Sequence, residues 1–278
     1  MKLIKPSVKL IDFDSNLEIV DYCARICYRS EKKNPEILYN SLINSGHISM
    51  LRHETHYFSI PFKKVTQELI FIISNNPYIF YYENEITRRL YISANGNFIY
   101  DNKHFYEIIK DFEVSIEQVK NDDNFKPIRR FTFEIVTQIS TSRELNRVSP
   151  NNISEQSTRY VYDEGTLCVP HWISDKDLNE YIISKNTHKA DANKYFYVCE
   201  KLFANYTILI KNYNISKQDA RGILPLDTAT RCAYTYSVKE WENIIKLRYY
   251  GTTGKPHPNA KIIVGMIKEK LNELGYEI

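Results

Sequence analysis

Glycine is scarce, with eight among 278 residues, and no G-x-G-x-x-G occurs anywhere along the chain. Any dinucleotide here is therefore not held in the Rossmann way. Gly251-Thr-Thr-Gly254-Lys255 lacks the glycine spacing of a phosphate loop, and Pro256 stands where Ser or Thr is needed. Long apolar runs are missing too: the densest, Leu69 to Ile73, is far short of a membrane span. Met1-Lys-Leu-Ile-Lys5-Pro contains no basic segment leading into an apolar stretch, so no secretory signal is expected. The five cysteines, Cys23, Cys27, Cys168, Cys199 and Cys232, are odd in number and mostly scattered. Free thiols in a reducing cytoplasm are the simplest expectation. Basic and acidic residues number 37 and 34, a net charge of +3, so electrostatics alone indicates neither nucleic acid nor membrane as a partner.

What is present is an ordinary globular composition, 43% hydrophobic and 26% charged. No repeat, low-complexity tract or linker divides the chain, so one unit over 1–278 is expected. Val8 to Phe13 reads as an opening strand. Asn16 to Tyr28 carries Leu17, Val20, Cys23, Ala24 and Cys27 at helical spacing, with Ser15 or Asn16 as N-cap. Cys23 and Cys27 then share a helix face, where packing explains them better than zinc. Phe58, Ile60 and Phe62, then Phe131, Phe133 and Ile135, alternate as in strands. Between them, about 74–126 is a polar, aromatic stretch with turn signals at Asn75-Asn76-Pro77 and Asn95-Gly96-Asn97. It reads as an insertion with some secondary structure of its own. The second half reads as mainly helical. Tyr195, Val198, Cys199, Leu202, Tyr206 and Leu209 form a stripe, Ser216 and Asp219 are spaced as a capping box, and helices are expected over 239–249 and 260–274. The fold class is therefore α+β, with early strands and a later helical half.

Chemistry concentrates in Ser142 to Tyr160, where three arginines, two glutamates and a run of hydroxyls and amides fall within nineteen residues. If residues 155–159 are extended, Glu155, Ser157 and Arg159 point to one side. Guanidinium and hydroxyl together suit a phosphate; a solvated polar loop has the same composition. Trp241, Ile244, Ile245 and Arg248 fall at i, i+3, i+4 and i+7, which places Arg248 on an apolar stripe. It needs an anionic partner or acceptor there, unless it snorkels to water. Arg221, before Gly222-Ile-Leu-Pro225, is equally open. His53-Glu54-Thr55-His56 is one residue short of the metalloprotease spacing, and His47 does not repair it, so no metal is expected. Cys168 and His171 lack any flanking nucleophile motif.

Taken in order, these segments resemble the flavin-dependent thymidylate synthases almost end to end. Ala24-Arg-Ile-Cys-Tyr28 resembles that family's first helix. Gly46-His-Ile-Ser-Met-Leu-Arg-His53 resembles its Gly-His-x-Ser-x-x-Glu-His element. Arg147, Ser157, Arg159 and Tyr160 fall in register on its signature, Arg-His-Arg, seven residues, then Ser. Asp219 to Leu226, Lys239-Glu-Trp241 through Lys246-Leu-Arg248, and His257-Pro258 match later blocks. The resemblance implies an α/β homotetramer with active sites shared between subunits. It implies methylation of dUMP with FAD, methylenetetrahydrofolate and a reduced nicotinamide, NADPH or NADH, and no nucleophilic cysteine. On it, Glu144, Arg147, Glu155, Gln156, Ser157, Thr158, Arg159, Arg221 and Arg248 are the dUMP-binding positions. Arg248 is the catalytic one, set against the uracil to stabilise developing negative charge. Ser49, Arg147, Val148, Ser149, Glu155, Ser237, Lys239 and Asn243 are the flavin-side positions.

The chain departs from that pattern on the flavin side. Arg-His-Arg reads Arg147-Val148-Ser149, the early Glu is Arg52, and a usual Asn and Arg are Ser237 and Lys239. Arg52 is expected to replace the cation lost at Ser149. The substrate is thus a firmer expectation than the cofactor. Two alternatives are a same-fold pyrimidine-nucleotide transferase making another product, such as a hydroxymethyl nucleotide, and a non-catalytic nucleotide-binding homologue.

Overall fold

Short alternating segments along the chain assemble into two antiparallel sheets and a small parallel pair. The computed structural model describes residues 1–29, 34–148, 151–162, 165–183 and 191–278. The chain opens with β1 (Lys2–Ile4), β2 (Ser7–Ile11), α1 (Asn16–Tyr28), α2 (Pro35–Asn44) and a 3-10 turn at Ile48–His53. Next come β3 (Thr55–Pro61), α3 (Gln67–Ser74), β4 (Ile79–Asn84) and β5 (Arg89–Asn95). Then α4 (Gly96–Asp101), α5 (Lys103–Ile109), β6 (Glu113–Val114) and α6 (Ile116–Asn121) lead into β7 (Arg130–Gln138). After β7 run α7 (Ile139–Leu145), β8 (Ile153–Glu155), β9 (Thr166–Cys168), α8 (Asp175–Ile183) and α9 (Asp191–Lys211). Last are α10 (Lys217–Ala220), β10 (Ala229–Ser237), α11 (Val238–Ile245) and α12 (Pro258–Glu273). None of the described helices is long and apolar enough to cross a membrane.

The main sheet has the order β2-β7-β10-β8. On one face Phe133, Ile135, Cys232, Tyr234 and Tyr236 pack against Trp241, Ile244 and Ile245 of α11 and Ile263, Val264, Ile267 and Leu271 of α12. Trp241 Nε1 donates to Phe131 O (3.2 Å), which satisfies the indole where it is buried. On the other face Cys23 and Ile26 of α1 meet Ala233. The second sheet, β4-β5-β3-β6, packs Phe58, Ile60, Leu90 and Ile92 against Leu69 and Ile73 of α3 and Phe105 and Ile109 of α5. β1 and β9 form the parallel pair, beside which Leu167 joins Phe196, Cys199 and Phe203 of α9.

The α+β class stands, and the helix at Asn16–Tyr28 and the strand alternation at 58–62 and 131–135 are as expected. Ser15 occupies the N-cap of α1 without a side-chain bond. Asn16 instead ties its amide to Thr55, accepting from the backbone N–H (2.9 Å) and donating to the carbonyl (3.0 Å). Other details differ. Phe58 and Phe133 lie in different sheets. The half expected to be mainly helical contains β10, the nine-residue centre of the main sheet. β10 is covered on both faces, so no polar alternation marks it. The buried face of α9 is Phe196, Cys199, Phe203 and Tyr206, rotated from the expected stripe, and Val198 is exposed. The capping box at Ser216 is half made: Ser216 Oγ accepts from Asp219 N (3.3 Å), but the same hydroxyl donates to the Asp219 carboxylate (2.6 Å). Asn95-Gly96-Asn97 is a helix start rather than a turn, since Asn95 Oδ1 accepts from Phe98 N (2.8 Å). Gly96 is required there: a Cβ would meet Glu54 Oε2 at 1.7 Å.

The two large sheets are joined by Arg130, the first residue of β7. Its guanidinium donates to Glu54 O (2.6 Å), Thr55 Oγ1 (3.0 Å), Arg52 O (3.0 Å) and Thr235 O (3.2 Å). Arg130→Met, which keeps the stem and orphans these acceptors, is expected to cost about 3 kcal/mol in urea unfolding. A loss below about 1 kcal/mol would show that the junction does not depend on this guanidinium.

Candidate active site

The C-terminal turn of α7 carries the first group of expected residues. Glu144, partly buried, and Arg147, exposed, form an ion pair at 3.2 Å. Arg248 lies in a π-helical turn, Lys246–Tyr250, that continues α11 and ends at Gly251 with φ 74°. Such widened turns cluster at functional sites. Trp241, Ile244 and Ile245 are fully buried, whereas Arg248 is half-buried and its Nε donates to Glu144 O (3.0 Å). Its acceptor is thus a neutral carbonyl.

β8 carries the second group. Glu155 Oε1 accepts from Ser142 Oγ (2.8 Å) and Thr230 Oγ1 (3.0 Å). Gln156 N donates to Arg231 O (2.8 Å) and Ser157 N to Cys27 O (2.9 Å). The extended run expected over 155–159 stops at Ser157. Ser157 Oγ accepts from Arg159 N (3.2 Å) and Ser157 O from Val161 N (3.0 Å), which turns the chain away. Arg159 consequently leaves the line of Glu155 and reaches α10, where its Nε donates to Gln218 Oε1 (2.9 Å). Arg221 Nη1 donates to Thr158 Oγ1 (3.0 Å). Thr158, Arg159 and Arg221 thus form one cluster, and Glu144, Arg147 and Arg248 another. Among the described residues no hydrogen bond or ion pair joins the two.

How fully the guanidinium is engaged separates these arginines from structural ones, of which Arg130 fills four neutral acceptors. Arg25 pairs with Asp21 (2.6 Å), Arg231 with Glu134, and Arg88 with Glu85 (2.9 Å). Arg159, Arg221 and Arg248 rest on an amide, a hydroxyl and a carbonyl, with no carboxylate within ion-pair distance among the described residues. Their orientation is fixed while their charge is uncompensated, which suits an anionic ligand. A cavity of about 580 Å³ beside α1 is different: Asp21, Arg25 and Arg231 line it, and these charges are already matched.

On the flavin side, Ser49 is exposed on the 3-10 turn, and Lys239 and Asn243 are exposed one helical turn apart on α11. Val148 is buried in the main core, and Ser149 lies outside the described residues. Ser237 is buried and committed to a capping box: its hydroxyl accepts from Glu240 N (3.2 Å), and its N–H donates to Glu240 Oε2 (2.7 Å). Arg52 Nη1 donates to Asn151 O (3.1 Å). Beside these, His53 Nε2 and Asn152 Oδ1 are buried with no partner. Both residues flank Thr235, whose hydroxyl meets His53 Nδ1 (2.7 Å) and whose N–H donates to Asn152 O (3.0 Å). The sequence alone marks neither residue for this site. His53 lies inside the resembling Gly-His element, but nothing local reveals an unmet ring nitrogen.

The histidines carry opposite shifts. Burial, then the charges of Arg130 and Arg52, push His53 down to about 3, so it is neutral. Burial also opposes the charged form of His56, but hydrogen bonds to Glu113 and Glu54 outweigh it and raise His56 to about 9. The described residues contain no group of three or more His, Cys, Asp or Glu able to hold a metal ion. Burial raises the thiol pKa of all five cysteines, Cys168 to about 12 and Cys199 to about 11, so thiolate is scarce near neutral pH.

Residues 128–270, more than half of the chain, match the family model described as thymidylate synthase complementing protein. No curated protein matches the sequence. Two crystal structures of a UMP/dUMP methylase PolB from Streptomyces cacaoi, bound with 5-Br dUMP and 5-Br UMP, align with 99% of this chain and with 93% and 92% of theirs. Their identities are 15% and 14% and their TM-scores 0.46 and 0.47. A likeness at that level bears on neither substrate nor cofactor.

The histidine shifts set the pH dependence of stability. His56 is raised above its ordinary 6.5, so its contribution is full below pH 6.5 and is lost as pH rises through about 9. His53 is depressed, so its contribution is full above pH 6.5 and is lost as pH falls towards about 3. Melting curves from pH 4 to 10 should show His56→Gln flattening only the alkaline limb; an unchanged alkaline limb would contradict the His56 assignment.

Proposed function

The chain belongs to the thymidylate synthase complementing protein family, and from that premise we propose that it methylates dUMP to dTMP. In this reading FAD is the cofactor, and methylenetetrahydrofolate and NADPH are co-substrates. The observation that carries the reading is that Arg159, Arg221 and Arg248, all at expected nucleotide positions, are each held by one neutral acceptor and keep further donors. Arg159 and Arg221, with the hydroxyls of Ser157 and Thr158, bind the phosphate. Arg147, Glu144, Glu155 and Gln156 complete the nucleotide site. Arg248 faces the uracil and stabilises negative charge developing at N3 and the adjoining carbonyl, a preorganised electrostatic contribution. The two arginine clusters share no hydrogen bond or ion pair among the described residues, and in this reading a second subunit of a homotetramer completes the site.

Two of the buried polar atoms without partners, His53 Nε2 and Asn152 Oδ1, would match the N–H and carbonyl groups of a flavin ring edge once the chain around them opens, since neither is exposed in this structure. Neutral His53 offers its ring nitrogen without adding charge. Ser49, Arg147, Lys239 and Asn243 would hold the remainder, with Val148 contributing backbone only. When bound, reduced flavin supplies a hydride to the base. The raised thiol pKa values agree with chemistry that uses no cysteine nucleophile.

The test combines a visible spectrum after loading with FAD, dUMP calorimetry and product analysis with labelled methylene donor. Arg221→Ala is expected to weaken dUMP binding about tenfold or more, the value of a charged hydrogen bond. Arg248→Ala should lower kcat by about 10²- to 10³-fold with a much smaller change in dUMP Kd. Hydroxymethyl product, or dUMP binding without turnover, would replace this reading with another.

A further inference from the structure

A cavity of about 180 Å³ lies where the segment 74–126 meets the 3-10 turn, and Arg52, Asn76, Asn95 and Asp101 line it. At about 30 Å³ per water it holds roughly six waters, below the ~300–1,000 Å³ of whole-ligand pockets. It therefore fits one end of a molecule, about the size of an amino acid. The acceptor ends of its two amides are already pinned. Asn95 Oδ1 accepts from Phe98 N (2.8 Å) and Asn76 Oδ1 from Tyr78 N (2.9 Å), which leaves each NH2 as the available group. Arg52 adds guanidinium donors beyond the one given to Asn151 O. Against these three donors stands one carboxylate, Asp101, of which one oxygen is taken by Asn97 Nδ2 (2.7 Å). A simple ionised phosphate brings no N–H for the remaining Asp101 oxygen. A group with carboxylates and an amide N–H satisfies both sides.

We propose that this cavity holds the amide-linked glutamate tail of the folate one-carbon donor. The proposal rests on the function read above. Arg52, Asn95 and Asn76 bind the tail carboxylates, and Asp101 accepts its amide N–H. Arg52 links the cavity to Asn151, and its neighbour His53 links it to the flavin side, so a donor anchored here extends towards the nucleotide strand β8. The cavity wall comes mainly from 74–126, which we take to be an insertion, and this gives that segment a role in selecting the donor.

The experiment compares tetrahydrofolate with tetrahydropteroate, identical except for the missing glutamate, on enzyme loaded with FAD and dUMP. Wild type should bind tetrahydrofolate about tenfold more tightly. Asn76→Asp, which keeps the acceptor for Tyr78 N but replaces the NH2 by negative charge, should abolish that preference. Its affinities for tetrahydropteroate and dUMP should stay unchanged, which also verifies its fold. Equal binding of the two ligands to wild type, or a preference that survives Asn76→Asp, would overturn the tail site alone. Wild type that fails to bind dUMP would overturn the tail site and the proposed function together.

Discussion

One guanidinium holds the two halves of this molecule in register. Arg130 starts β7 in the main sheet, yet three of its four acceptors lie in 52–55, the stretch that enters the second sheet, and the fourth is Thr235 O of β10. Burial penalises its charge and pulls its pKa down, while Glu240 pushes the other way. An enclosed charge of this kind persists only when its donors are satisfied. Carbonyls at the end of a 3-10 turn supply what the fold needs, because their own helical partners are missing. The turn bearing Ser49, Arg52 and His53 is therefore clamped to the main sheet beside Thr235.

That clamp has consequences for electrostatics. Arg130 and Arg52 help keep His53 neutral, and the same burial isolates its Nε2. Three residues on, His56 sits between two carboxylates and stays charged. Two histidines in one short stretch thus differ because burial, reinforced by guanidinium charge, prevails at His53, while carboxylate partners outweigh burial at His56. The arginines divide on a similar principle. Arg25 and Arg231 brace the fold on carboxylates and Arg130 on four neutral acceptors at once, whereas Arg159, Arg221 and Arg248 each rest on a single neutral group and keep guanidinium donors for a ligand.

Part of this was legible along the chain. Helical spacing from Leu17 to Cys27 marks α1, and alternation at 131–135 marks β7, since both periods follow from backbone stereochemistry over a few residues. The density of Arg, Glu and hydroxyls in 142–160 marks the candidate site from composition alone. β10 was not legible, because coverage on both faces removes polar alternation. Nor was the turn after Ser157, which depends on one hydroxyl choosing the Arg159 N–H.

The sequence by itself determined the α+β class, the first helix and the ordered blocks that resemble one enzyme family. Tertiary structure decided which acceptor holds each arginine, which histidine is charged and which polar atoms are left unmet. The reason is range. Periodicity acts over neighbouring residues, whereas His53 meets Thr235 across 182 positions and Arg248 meets Glu144 across 104. Partners that far apart are selected by the packing of sheets and helices, and no local pattern encodes them.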